Sequence, residues 1–211
     1  MARIVYKLTS QDITTRGGYQ WRLNEERTTD GRGELCGRGW LHFYYSPLLA
    51  VLLNPLHAQV IAPRLFKARA AGKILNDRGL KGGATSLTLV EEMPVPAISI
   101  AQRARFARLC ADWAALAAKG GRLSGEAVAS ELHRLAEEAI ASGPQPHQGA
   151  SMKPDYSYLA ATTDTAYAAE ASADAATLAS VGDADRADFF AGVCADWASR
   201  VLRRRLRRRR A

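Results

Sequence analysis

Cysteine is scarce and long apolar runs are missing. The 211-residue chain has three cysteines, Cys36, Cys110 and Cys194. An odd number set so far apart excludes a disulfide framework. No apolar stretch reaches the roughly 18 residues of a membrane-spanning helix; the longest, Leu48–Leu53, stops at Asn54-Pro55. The opening Met-Ala-Arg-Ile-Val-Tyr-Lys has no apolar core and no cleavage site, so a secretory signal is not expected and a cytoplasmic location is. P-loop, G-x-S-x-G, HExxH and paired-carboxylate signatures are all missing. Gly31-Arg32-Gly33 and Gly37-Arg38-Gly39 precede a strand instead of following one, so they are not a dinucleotide fingerprint. Cys36, His42 and His57 lack the further ligand at short spacing that a zinc site needs, so no metal is expected. Nothing in the spacing brings Cys36 and His42 together as nucleophile and base. With 47% hydrophobic and 24% charged residues, the chain is not disordered.

Charge is present in excess, and its position matters more than its total. Net charge is +8, from 29 Lys+Arg against 21 Asp+Glu. Residues 200–210 read RVLRRRLRRRR and hold eight arginines (Arg200, Arg203, Arg204, Arg205, Arg207, Arg208, Arg209 and Arg210) with no acid. Setting those eight aside leaves 21 basic and 21 acidic residues, so the first 199 residues are neutral. Clustered guanidinium groups repel one another and grip phosphate bidentately, which points to nucleic acid or another polyanion. Two other readings stand beside it. The cations could favour the dipole of a solvated helix end. They could also be partly neutralised by Asp155–Asp188, where seven acids face Arg186 alone.

The pattern along the chain changes near residue 100. Before it, strand and turn signals dominate: Ile4–Leu8, Tyr19–Leu23, Trp40–Tyr45, Ala58–Ala62 and Thr85–Val90 read as strands, and Asn24–Gly33 as a polar loop. Ser46-Pro47 starts a short helix, Ser46 as N-cap and Pro47 at the first helical position. Pro55 keeps that helix short, and Arg64–Ala71 reads as a short helix or turn closed by Gly72. Beyond residue 100 the apolar period is helical. Phe106, Leu109, Cys110, Trp113 and Ala117 share one face, and Val128, Leu132, Leu135 and Ala139 another. Residues 155–188 hold 12 alanines and read as helices that allow close approach, broken near Val181-Gly182-Asp183. Asp183 or Asp185 caps the last helix, whose apolar face carries Phe190, Val193, Cys194, Trp197 and Val201.

These segments predict an α+β fold, a small mainly antiparallel sheet with a short helix followed by a packed helical layer. Residues 1–100 form a β-rich α+β domain and 101–141 a helical hairpin. Residues 142–154 form a linker or long loop, and 155–211 Ala-rich helices with an Arg-rich end. Phe106–Ala114 and Phe190–Ala198 match at seven of nine positions, as FARLCADWA and FAGVCADWA. The pair reads either as a duplicated docking surface or as two equivalent helices packing in one core. The last helix is expected to return to the first.

Glu34–Pro55, ELCGRGWLHFYYSPLLAVLLNP, resembles the L-C-x-x-G-[FW]-[HL] … P-L-x-x-L pattern of a family of small uncharacterised phage and prophage proteins. The likeness extends to Thr14–Gly17, Tyr19–Leu23, Ser86–Val90 and the ending Cys194–Arg205, and so covers most of the chain. It implies a phage accessory protein of α+β form and implies no reaction. Leu41 stands where such proteins often have His directly after the aromatic, so His42 points to the opposite strand face.

Gly39–Ala50 is also faintly similar to the G-x-x-x-[FY]-x-[ST]-x-P-x-x-A segment of ADP-ribosyltransferases. That resemblance implies NAD as cofactor, Tyr44 or Tyr45 stacked on nicotinamide, Glu91 or Glu92 orienting a ribose hydroxyl, and Arg16 or His42 holding the dinucleotide. The plainer expectation is that Trp40, Phe43 and Tyr44 are sheet core and that Glu91-Glu92 is a solvated strand end. Three functions are therefore carried forward. The leading one is non-enzymatic binding of nucleic acid or a nucleoprotein complex through the Arg-rich end, with inhibition of host defence as one form and no membrane partner. The alternatives are an NAD-dependent ADP-ribosyltransferase-like enzyme and a homo-oligomer formed through the Ala-rich helices.

Overall fold

The computed structural model describes residues 2–77, 79–118, 125–141 and 156–180, together with 183, 186, 187, 190, 193, 194, 197 and 198. The predicted linker at 142–154, Val201 and the arginines from Arg200 to Arg210 lie outside the described residues. The chain is α+β and divides into two compact units, Met1–Pro96 and Ala97–Ala211.

In the first unit, β1 (Arg3–Thr9), β6 (Arg64–Asp77), β7 (Lys81–Met93) and β4 (Glu26–Thr28) form an antiparallel sheet in the order β1-β6-β7-β4. The short strands β2 (Thr14–Thr15) and β3 (Tyr19–Gln20) form a separate ribbon. β5 (Leu41–Phe43) also pairs with β7, and the next residue, Tyr44, exchanges both backbone hydrogen bonds with Tyr6 of β1 at 2.8 Å. The path β1-β6-β7-β5 thus returns to β1, and the sheet curls on itself. Its inner face carries Val5, Leu41, Phe43, Phe66, Ala68, Ala70, Ala84, Leu87 and Leu89, with Trp21 in the same cluster. The alanines and Gly82 make so tight a curl feasible. A Cβ on Gly82 would lie 2.5 Å from the Phe43 ring.

The segment Arg64–Ala71 is a strand, not the predicted helix or turn. Its alanines favour helix, but Phe66, Ala68 and Ala70 alternate into the core while the strand pairs on one side with β1 and on the other with β7. Burial and two ladders override propensity. Gly72 sits in a register shift with φ +76°, and a Cβ there would fall 2.1 Å from Thr85 Oγ1.

α1 (Pro47–His57) begins as predicted, with Ser46 Oγ accepting from Leu48 N at 3.2 Å and Leu49 N at 3.4 Å. Pro55 lies within its last turn. Ala58–Ala62 is a turn, not the predicted strand. The Asn54 side chain binds both the N–H and the C=O of Val60, at 3.0 and 2.9 Å, which removes that residue from any ladder. Gln59 and Ala62 have φ of 53° and 46°, outside strand geometry. The polar stretch 24–33 contains β4, and Tyr19–Leu23 shortens to β3.

The second unit holds α2 (Ile100–Ala118), α3 (Gly125–Ala141) and α4 (Tyr156–Ser180). Ser99 and Gln102 form a capping box: Ser99 N donates to Gln102 Oε1 at 2.8 Å and Gln102 N to Ser99 Oγ at 3.3 Å. Gln102 Nε2 also donates to the Ile140 carbonyl at 2.8 Å, tying α2 to the end of α3. Replacing Gln102 by Ala removes both functions and leaves a carbonyl unpaired. Loss of about 2 kcal/mol is expected, read by urea unfolding followed by helical circular dichroism.

α4 is buried around most of its middle, with Ala166, Ala168, Ala169, Ala171, Ala173 and Ala175 enclosed along with Thr165 and Ser172. A helix buried on nearly every side is a core helix, so these alanines are spent inside the unit. The echoed motifs both meet it. Cys194 Sγ donates to the Ala168 carbonyl at 3.0 Å, and Cys110 hydrogen-bonds Ser172, one turn further along α4. Burial pushes both thiols up, Cys194 to about 12. Asp183 is the cap of the last helix: its Oδ1 accepts from Arg186 N at 3.3 Å. Phe106, Cys110 and Cys194 are buried, while Trp113, Phe190 and Trp197 are half-buried and Trp197 stacks on Tyr167. The duplicated sequence is thus a packing device.

Candidate functional site

The feature of the first unit least expected from the sequence is Lys7. Strand alternation turns Val5, Lys7 and Thr9 to one face, and that face is the closed inside of the curl. Lys7 is 7% exposed. Its ammonium donates to the His42 carbonyl at 2.6 Å and lies 5.0 Å from the centroid of the Trp21 ring. Trp21 is oriented in turn by Nε1 donating to Thr15 Oγ1 at 3.0 Å. No carboxylate pairs with Lys7 among the described residues. Burial alone lowers its pKa to about 8. One carbonyl and one aromatic face hold this cation.

His42 is on the other face of β5, as its position after Leu41 requires. Its Nε2 donates to the Leu35 carbonyl, fixing the turn that contains Cys36. Desolvation lowers its pKa. The Leu35 bond opposes that, and the positive charges of Lys7, Lys81 and His57 add to the lowering. The ring serves to anchor a loop, and Cys36 is exposed beside it.

The other residues proposed for a nicotinamide site are dispersed. Arg16 is exposed in the turn between β2 and β3. Tyr44 is buried against α1, its ring stacked on His57 at 6.0 Å, and burial pushes its phenol up. Tyr45 packs edge-on to Phe43 at 5.2 Å, with Arg3 over its face. Glu91 and Glu92 lie within β7, not after it. Glu92 is held by Arg64, at 2.7 Å from Nε and 2.5 Å from Nη2. Glu91 stands across from Lys67, which stands across from Tyr6, whose other neighbour is Tyr44. Going by way of β1 and β6, Tyr44 and Glu91 are therefore three strands apart around the curl. Only His42 and Tyr44, two residues apart, share surroundings, near His57. Among the described residues no group of three or more His, Cys, Asp or Glu could hold a metal ion.

Lys7 was missed because Ile4-Val5-Tyr6-Lys7-Leu8 alternates the wrong way: Ile4, Tyr6 and Leu8 look like the core face. The available signal was Trp21, an aromatic that needs a partner for its ring and its N–H.

Residues 3–101 match the domain of unknown function (DUF7666). The match runs from the first residue of β1 into the first turn of α2, so it takes in every described strand, α1 and the Lys7 cluster. The match supports an uncharacterised family over this segment, and residues 102–211 lie outside it. Searches of curated proteins and of solved structures found no match. No described helix is long and apolar enough to cross a membrane.

Proposed function

We propose that the chain is a non-enzymatic phage or prophage accessory protein acting in the host cytoplasm. It engages nucleic acid, alone or in a nucleoprotein complex, through Arg200, Arg203, Arg204, Arg205, Arg207, Arg208, Arg209 and Arg210. Inhibition of host defence is one form this action would take. The observation that carries the reading is where charge lies. Residues 1–100 hold 13 Lys+Arg and 8 Asp+Glu, residues 101–199 hold 8 and 13, and residues 200–211 hold 8 and none. Only the last segment offers cations with no acid among them.

Two further observations support it. Of the seven acids that could neutralise the arginines from within, Asp164 is buried, and Asp183 is engaged as a helix cap with Arg186 at 3.5 Å. The candidate catalytic residues are spread over β2–β3, β5 and β7, and Lys7 lacks a reacting partner. Removal of residues 200–211 tests the proposal: binding to duplex DNA and to RNA is expected to be lost, and tight binding by the shortened chain would refute it.

A further inference from the structure

β6 is longer than the strand beside it. β1 pairs with β6 only from Arg64 to Ala70, opposite Arg3 at its far end. From Ala71 to Asp77 the strand is paired with β7 on one side, and no described strand pairs with its other side. Gly72, Lys73, Ile74, Leu75 and Asn76 are all exposed, Ile74 and Leu75 by 37% and 39%. Such an edge presents backbone donors and acceptors ready for another strand. Lys73 N donates inward to Thr85 Oγ1 at 2.9 Å, so alternation turns the backbone groups of Ile74 and Asn76 toward the open side.

We propose that this edge is a homodimer interface, in which residues 73–77 of two copies pair antiparallel about a two-fold axis at Leu75. The occupant follows from the sequence of the edge, Ala-Gly-Lys-Ile-Leu-Asn-Asp. In that register Lys73 stands opposite Asp77 of the second copy, and Asp77 opposite its Lys73. Ile74 faces Asn76, so the outward backbone groups meet, and the two Leu75 side chains adjoin. A lysine on an edge ordinarily discourages pairing with arbitrary strands. Here the charge two residues beyond Leu75 is the complement of the charge two residues before it, which suits a second copy of the same edge. Asp77 already meets Lys81 of its own hairpin at 3.7 Å, and that contact is compatible with a second lysine across the interface.

The test uses the full chain. Light scattering is expected to show a mass rising from one copy toward two as concentration increases to about 1 mM. Amide exchange at Ile74 and Asn76 is expected to slow over the same range. Lys73→Glu and Asp77→Lys each place like charges opposite one another and are expected to weaken the dimer roughly tenfold, while an equal mixture of the two restores it. Leu75→Asp, at an exposed position, serves if Asp77→Lys disturbs the hairpin, and it too is expected to give a monomer. A chain that stays monomeric, a dimer indifferent to these substitutions, or one that leaves Ile74 and Asn76 unprotected would overturn the proposal.

Discussion

Between about 50 and 200 mM monovalent salt, the affinity of the chain for duplex DNA is expected to fall by about 10⁴-fold. Each phosphate neutralised by an arginine releases condensed counterions, and the released ions make binding salt-dependent. If all eight arginines seat on phosphates, the slope of log affinity against log salt is about −7 for duplex and about −6 for a single strand. Replacing Arg207, Arg208, Arg209 and Arg210 by Gln removes half of those contacts. The slope is then expected to halve, with a loss of only about 10²-fold over the same salt range. Fluorescence anisotropy with a labelled duplex measures both. A slope unchanged by the four substitutions would place the electrostatic contact elsewhere, and the candidate then would be the N-terminal domain, itself rich in Lys and Arg.

The second large effect comes from Lys7. Its pKa is about 8 in the folded chain and 10.5 as a free side chain. Between those values the unfolded chain holds a proton that the folded chain has released, so stability rises with pH across that window. The full gain is about 3 kcal/mol. Three other groups work in the opposite direction at high pH. Burial raises Tyr44, Cys110 and Cys194, which keep protons that the unfolded chain loses. The Lys7 contribution is therefore read as the difference between the wild type and Lys7→Met in urea unfolding. Near neutral pH the variant is expected to be favoured, because it no longer buries a charge. That advantage is expected to shrink by about 3 kcal/mol from pH 8 to 10.5 and to be flat outside the window. The unpaired His42 carbonyl shifts the whole difference without changing its pH dependence. A difference independent of pH would mean that the ammonium is solvated.

The helices were the more legible in sequence. Ser46, Asp183 and the stripes around Phe106 and Leu132 are local signals, carried by caps and a period of 3.6, and the structure keeps them. The capping pair Ser99 and Gln102 has the same S-x-x-Q signature and could have been read. The sheet was less legible because the second half of β1 is covered on both faces. Leu8, Leu49 and Leu52 are buried where α1 packs on β1, while Val5 and Phe66 fill the curl. Alternation therefore fails to say which face is inner, and Lys7 enters the core side. Arg64–Ala71 reads as a helix because helix propensity is local, whereas its pairing partners are distant in sequence, 67 residues away in the register Ala70–Arg3 and 21 residues away in the register Ala68–Leu89. Of the site, the Arg-rich end is written openly in the sequence. The dispersal of Arg16, Tyr44 and Glu91 depends on strand order, which no local motif encodes.

The most direct test of the central claim is to crosslink a bound oligonucleotide to the full chain by ultraviolet light and to map the attached peptides by mass spectrometry. Attachment within residues 200–210, lost when those arginines are replaced by Gln, is the expected result. Attachment confined to residues 3–101, unchanged by the same replacement, would contradict it.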